Sequence, residues 1–193
     1  MQTLRLPLLL LVLLLTGRLT LSAQSLQDAL SANDTNRVAQ LIREGANPNE
    51  LDRYGGTYLM TAVRWNNQPM VRFWLGHGAL IDSPRSTKGR TALMVGAAYY
   101  ADSLCMALLL DRGADPNAQA QDGTTALMLA AQNWKADIVA LLLARGADPE
   151  RKDQRGKTAL DHLEGSLVTD EVKQVLKEFR VDRERCRQLL RKH

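Results

Sequence analysis

A unit of two short helices recurs along this chain, and its spacing restricts the fold more than any other feature. In the clearest copy, residues 122–150, Thr125 precedes a short apolar segment and Gly146 follows a second one. Threonine hydroxyls cap helix N-termini, and glycine readily adopts the left-handed conformation that ends helices. The predicted helices, about 125–133 and 137–144, are too short to be stable alone in water. Each unit therefore needs neighbouring units on both sides.

Two series of residues mark the neighbouring units. The threonines are Thr57, Thr91, Thr125 and Thr158, and the glycines are Gly45, Gly78, Gly113 and Gly146. Both series repeat about every 33 residues, a period that indicates stacked helical repeats. Because apolar and polar residues rarely alternate, strands are expected only in short finger turns between units. The sequence predicts one elongated all-α solenoid rather than two globular domains.

Motifs within the units point to a family. TALM follows at Thr91 and Thr125, TYLM at Thr57 and TAL at Thr158, and the units end in GANPN, GALID, GADPN and GADPE. With these motifs the chain resembles the ankyrin-repeat family over residues 25–180. The resemblance implies about five repeats, at 25–50, 51–82, 83–117, 118–150 and 151–180, with a basic helical tail at 181–193. The chain departs from the family's TPLH motif: Ala or Tyr stands in place of the proline, and Met in place of the histidine that normally ties adjacent repeats.

Residues 1–23 have the form of a secretory signal. Arg5 precedes an almost pure leucine run, and Ala23 offers a small residue at a cleavage site before Gln24. The apolar run is too short to span a bilayer, which takes about 20 residues. We therefore expect a mature chain from residue 24 that is periplasmic or secreted, with an uncleaved membrane anchor as the alternative.

Charge limits the classes of partner. The chain has 25 basic and 21 acidic side chains, and removing the signal would leave 23 and 21. Nucleic-acid binding would require a much stronger basic excess. Residues 151–193 hold 12 basic and 8 acidic side chains. This basic end either contacts an acidic partner or anionic lipid headgroups, or is simply solvated.

No pattern in the sequence predicts catalysis, a metal or a cofactor. His77, His162 and His193 share no ligand spacing with Cys, Asp or Glu, and no nucleophile elbow, phosphate loop or dinucleotide fingerprint is present. Asp115 and Asp148 belong to repeat ends, where they are expected to bond the turn rather than bind calcium. An enzyme, or a groove that holds a small acidic ligand, remains the alternative class.

The two cysteines are not expected to form an intrachain disulfide. Cys105 lies in an apolar helical segment of the third repeat, and Cys186 lies beyond the fifth. Stacked helices are separated by about 8–10 Å, whereas a disulfide tolerates at most about 7 Å between Cα atoms. Cys105 is predicted to be a buried small hydrophobe, and Cys186 either pairs with another chain or remains a thiol.

The family resemblance also implies where a partner would bind. In ankyrin repeats the fingers and the ends of the first helices line a concave face. The residues at those positions are Arg53, Tyr54, Arg64, Trp65, Lys88, Arg90, Tyr99, Tyr100, Gln121, Asp122, Gln132, Asn133, Trp134, Gln154, Arg155 and Lys157. Tyr, Trp and Arg are the types that dominate interface hot spots.

The leading prediction is a monomeric, non-enzymatic module that binds another protein, one with an acidic surface. Stacking should bring the basic and aromatic residues of successive repeats into one strip on the concave face. For each aromatic residue, partial burial against the next repeat is the alternative, and Trp134 in particular could serve only to cover Tyr100. Membrane-surface association through the tail is a lesser alternative.

Overall fold

A computed structural model of the chain describes residues 26, 28–29, 32, 34–52, 54–83, 86, 88–164 and 180–192. The predicted signal segment, Arg53 and the helix expected over about 169–179 lie outside the described residues. The helices that follow in order are α1 (Thr35–Arg43), α2 (Tyr58–Arg64), α3 (Gln68–Gly76), α4 (Ala92–Ala98), α5 (Ser103–Asp111), α6 (Ala126–Gln132), α7 (Ala136–Ala144), α8 (Ala159–Glu164) and α9 (Arg180–Arg191).

These helices stack in two rows. The first helices of the repeats, α2, α4, α6 and α8, contact one another in series, and α3, α5 and α7 each pack behind the first helix of their own repeat. Among the described residues, extended structure is limited to an isolated antiparallel bridge between Leu51 and Thr57. The prediction of an all-α repeat solenoid is confirmed.

The recurring threonines and glycines begin and end the helices as predicted. The hydroxyls of Thr57, Thr91 and Thr125 each accept a hydrogen bond from the backbone N–H three residues later, at 3.3–3.4 Å. Gly146, which follows α7, has a φ of +83°, a conformation that costs glycine little and other residues more. The methionines of the TYLM and TALM motifs are at most 2% exposed and fill the interior.

The core runs continuously through the stack. Leu127 and Leu142 are 1% and 0% exposed, so both lie in the interior as expected. In the first row, Gly96 allows the close approach of α4 to its neighbours: a Cβ there would lie 2.5 Å from Met106 Sδ and 3.0 Å from Val63 Cγ1. Small residues in this row thus set how closely repeats two and three pack.

Asparagines at the repeat ends tie neighbouring repeats together. Asn117 donates from its amide to Gly146 O and accepts from the Asp148 backbone N–H, both at 2.8 Å. Asn49 makes the same pair of bonds two repeats earlier, to Gly78 O and from Leu80 N. These bonds join the ends of neighbouring repeats, in a chain whose first helices carry Met in place of the family histidine.

The carboxyl-terminal helix α9 packs on the last repeats. It contacts both α7 and α8, with Cys186 and Leu190 buried and Arg185 Nη1 3.1 Å from Asp137 Oδ1.

Cys105 is also buried, as predicted, and burial raises the pKa of its thiol to about 11. The structure holds no disulfide between Cys105 and Cys186. A bond from Cys186 to another chain would first require α9 to move. No helix in the described ranges is both long enough and apolar enough to cross a bilayer.

Candidate functional site

Five of the predicted residues line one pocket between repeats two and three. They are Tyr54, Arg64, Lys88, Arg90 and Tyr99, and the pocket has a volume of about 130 Å³. Met60 and Val95 supply an apolar wall, and Asp52 and Thr61 lie beside them. We call this cavity the finger pocket, because the finger of repeat two and the finger of repeat three both line it.

Asp52 holds the wall of the finger pocket in place. Its Oδ1 accepts backbone N–H bonds from Tyr54 at 2.8 Å and Gly56 at 3.1 Å, and its Oδ2 accepts the Thr61 hydroxyl. Asp52 is buried, and its carboxylate ties the second finger to α2. Asp52 therefore stabilises the finger, and within the described part of the chain it forms no ion pair with the cations that line the pocket.

A second group of predicted residues lines an open groove on the turns between first and second helices. Tyr99, Tyr100, Asn133 and Trp134 line this turn groove, which has a volume of about 590 Å³, together with Lys135. Tyr99 lines both the finger pocket and the turn groove. The two cavities therefore meet at this side chain.

Aromatic side chains at this junction pair with each other while remaining exposed. The rings of Trp65 and Tyr100 stack with centroids 5.7 Å apart, although the two residues are 65% and 70% exposed. Arg64 places its guanidinium carbon 4.3 Å from the centre of the Tyr99 ring. We call Arg64, Trp65, Tyr99 and Tyr100 the aromatic cluster. Its members come from repeats two and three, so stacking of the repeats assembles it.

Some of the predicted partner-binding residues line neither the finger pocket nor the turn groove. Arg155 and Lys157 lie exposed on the fifth finger, where they line neither the finger pocket nor the turn groove. Gln132 is exposed at the end of α6, and Asn133 uses its amide to donate to Leu129 O at 2.7 Å. The predicted residues thus gather at repeats two to four rather than extending to repeat five.

Trp134 is half-buried and packs against the core. The ring that stacks on Tyr100 is that of Trp65, so covering Tyr100 is not the task of Trp134 alone. Its backbone has a φ of +56°, which is unusual for a bulky residue.

Four predicted residues of the fingers join one finger to the next. The backbone N–H of Gln121 donates to Lys88 O at 3.2 Å, and the backbone N–H of Gln154 donates to Asp122 O at 3.0 Å. Burial raises the pKa of Asp122, but hydrogen bonds from Thr124 and the positive charge of Arg90 outweigh it and lower the pKa overall. These links fix the spacing of the third, fourth and fifth fingers.

Lys135 was missed by the sequence reasoning. It occupies the N-cap position of α7 and makes no capping bond, whereas Asp34, Asn67 and Asp102 cap the second helices of repeats one, two and three. Its ammonium instead donates to the carbonyls of Gly96, at 3.2 Å, and Tyr99. Lys135 thereby holds the end of α4 where the aromatic cluster begins. A lysine at a position that is elsewhere Asp or Asn was the available signal.

His77, His162 and the repeat-end aspartates have structural partners, while His193 lies outside the described residues. His162 Nε2 lies 3.0 Å from Asp153 Oδ2. Burial raises the pKa of Asp153, but hydrogen bonds from Lys157, His162 and Arg155 outweigh this effect and lower the pKa overall. Asp115 and Asp148 bond their own turns, as predicted. Within the described ranges, no group of three or more His, Cys, Asp or Glu side chains could hold a metal ion.

Comparison with known proteins agrees with the repeat architecture. Residues 26–120 match a family model described as ankyrin repeats in three copies, and residues 109–163 match one described as ankyrin repeats in many copies. The chain is 34% identical over 121 residues to the ankyrin repeat, SAM and basic leucine zipper domain-containing protein 1 of Mus musculus. It is 35% identical over 118 residues to the protein of that name from Oryctolagus cuniculus.

The extent of these matches defines what is shared. Each alignment covers 60% of this chain and 25% of the relative, so the chain spans about a quarter of the length of these curated relatives. The family matches together run from residue 26 to residue 163. Ankyrin repeats are generally protein–protein interaction modules and typically non-enzymatic. From its repeat geometry and from these matches, the chain belongs to the ankyrin-repeat family.

Proposed function

We propose that this chain is a monomeric, non-enzymatic module that binds a partner protein through the aromatic cluster and the two cavities that meet there. The observation that carries the proposal is the stacked pair of Trp65 and Tyr100, which remains more than half exposed on a repeat surface. The core of the stack does not need these rings, because the interior positions of α2 and α4 are filled by other residues.

The physics of interfaces supports this surface. Aromatic and arginine side chains combine a large contact area with directional polar groups, and they carry most of the binding energy at interfaces. In the aromatic cluster, the ring stack and the Arg64–Tyr99 contact hold these side chains in place before a partner arrives. Less conformational entropy is then lost on binding.

The test is a capture experiment with matched variants. We expect the Trp65→Ala/Tyr99→Ala variant to lose the proteins that the wild-type chain retains from an envelope fraction, with an unfolding midpoint within a few degrees of wild type. Leu80→Ala is the control, since Leu80 is an exposed apolar residue outside both cavities. If the folded double variant captured the same proteins as wild type, the aromatic cluster would not be the binding surface.

We also propose that the protein acts outside the cytoplasm. The support is the sequence of residues 1–23, with Arg5 before a leucine run and Ala23 before Gln24. Amino-terminal sequencing of protein purified from the native host should find Gln24 at the start of the mature chain. Intact Met1 on protein from the cytoplasmic fraction would contradict the proposal.

A further inference from the structure

The finger pocket concentrates positive side chains that form no ion pair with the carboxylates the structure describes. Arg64, Lys88 and Arg90 line it, and among the described residues no carboxylate forms an ion pair with any of the three. Asp52, the acidic residue in the wall, already accepts two backbone N–H groups and a hydroxyl. Asp122 on the next finger interacts with Arg90 electrostatically but accepts a hydrogen bond from the Thr124 backbone N–H.

Arg90 leaves a donor without an acceptor. Its Nε is buried and has no hydrogen-bond partner within the described part of the chain. A buried donor that lacks an acceptor costs about 1–3 kcal/mol, so such groups call for an explanation. Arg90 lines the finger pocket, and a small movement of its guanidinium would bring this buried donor to an acceptor oxygen bound there.

The size of the pocket restricts the ligand to a small group. At about 130 Å³ it is smaller than the roughly 300–1,000 Å³ typical of cofactor and drug-sized sites. One side is cationic, and the other is the apolar wall of Met60 and Val95. A carboxylate at the end of a short aliphatic chain matches both sides.

We propose that the finger pocket receives the carboxylate side chain of a glutamate or aspartate from an acidic segment of the partner protein. The inference rests on the proposed function, because the same partner would contact the aromatic cluster through Tyr99, which lines the pocket as well. The guanidinium of Arg64 lies over the face of the Tyr99 ring. This contact uses none of the guanidinium N–H groups as hydrogen-bond donors, so they can donate to the incoming carboxylate. The methylene groups of glutamate would lie against Met60 and Val95.

The direct test uses a labelled peptide of alternating Glu and Gly residues and a matched peptide with Gln in place of Glu. We expect binding of the Glu peptide, measured by fluorescence anisotropy, to be at least about tenfold tighter than that of the Gln peptide. The Arg64→Gln/Lys88→Gln variant should weaken it by about tenfold or more. Arg72→Gln, which removes an exposed arginine from α3, should change it by less than about twofold.

Further arms make the result decisive. Lys88→Gln alone alters an exposed side chain, so it tests the pocket even if the double variant folds poorly. Inorganic phosphate at the peptide concentration should not displace the peptide; tighter binding of phosphate would make the pocket a phosphate site and overturn the inference. Equal losses from Arg72→Gln and Lys88→Gln would show diffuse attraction and would also overturn it.

The outcome can be separated from that of the proposed function. If the aromatic double variant loses the partner while the Glu and Gln peptides bind equally, the carboxylate inference fails and the binding surface stands. If the Glu peptide binds through Arg64 and Lys88 while the Trp65→Ala/Tyr99→Ala variant captures the partner as well as wild type does, the aromatic surface is refuted and the carboxylate pocket is supported.

Discussion

Two replacements of Lys135 should separate the effect of its carbonyl contacts from the effect of its position at the start of α7. The ammonium donates to the carbonyls of Gly96 and Tyr99 at the end of α4, and the residue itself stands at the uncapped start of α7. Hydrogen bonds that involve a charged group contribute about 1.5–3 kcal/mol each. Because Lys135 is half-buried and one ammonium serves both carbonyls, we take about 2 kcal/mol for the pair.

The two informative variants are Lys135→Ala and Lys135→Asn. Lys135→Ala loses the ammonium and gains nothing, so it should lower the free energy of unfolding by about 2 kcal/mol. Lys135→Asn also loses the ammonium, but its side chain can accept from the backbone N–H of Ile138, as Asn67 accepts from Met70 at 3.2 Å. Since an N-cap contributes about 1 kcal/mol, Lys135→Asn should lie about midway between Lys135→Ala and wild type.

Urea unfolding followed by far-UV circular dichroism measures both differences. The order of stability should be wild type, then Lys135→Asn, then Lys135→Ala, with unchanged dependence of the free energy on urea. A Lys135→Ala variant within about 0.5 kcal/mol of wild type would show that the carbonyl contacts contribute nothing. A Lys135→Asn variant more stable than wild type would show that the lysine is kept at a net cost to folding.

Three more outcomes follow from the described contacts. Leu142→Ala should lower the free energy of unfolding by about 2–5 kcal/mol in urea titrations, because Leu142 is fully buried, whereas the exposed Leu104→Ala should stay within about 0.5 kcal/mol. Asn117→Ala should cost about 1–2 kcal/mol and raise amide exchange in the fourth repeat, since it removes two bonds to the end of α7. Hydrogen bonds hold the pKa of Asp153 below its usual value, so the contribution of this carboxylate to folding stability is complete above about pH 4 and is lost as the pH falls further. In thermal melts, Asp153→Asn should therefore be less stable than wild type at neutral pH and less sensitive to acid.

The repeat architecture could be predicted because the same local chemistry recurs. A threonine that caps and a glycine that ends a helix act within a few residues, so each copy shows the pattern independently. The pairing of side chains across repeats could not be predicted in this way. Whether Tyr100 stacks on Trp65 or on Trp134 depends on how closely α2 and α4 approach, and that distance is set by Gly96 against Met106 and Val63.

The fifth finger shows the same limit. Arg155 and Lys157 occupy positions equivalent to pocket-lining residues of earlier fingers, so sequence alignment placed them on the same face. The finger pocket is lined by side chains from both the second and the third finger. A position in one repeat therefore predicts where a side chain starts, and its packing with a neighbouring repeat decides whether it lines a cavity.

Local rules are broken at adjacent points around the turn groove. Trp134 occupies the left-handed conformation that Asn66 adopts in repeat two, and there a bulky residue costs about 1–2 kcal/mol more than glycine would. Lys135 follows it and gives up a helix cap. The two departures are neighbours in the chain and both line the groove beside Tyr99. Backbone and capping preferences favour Asn or Gly at 134 and Asp or Asn at 135. At 135 the carbonyl contacts of the ammonium outweigh the lost cap, so it is the backbone cost at Trp134 that supports a binding role for this groove.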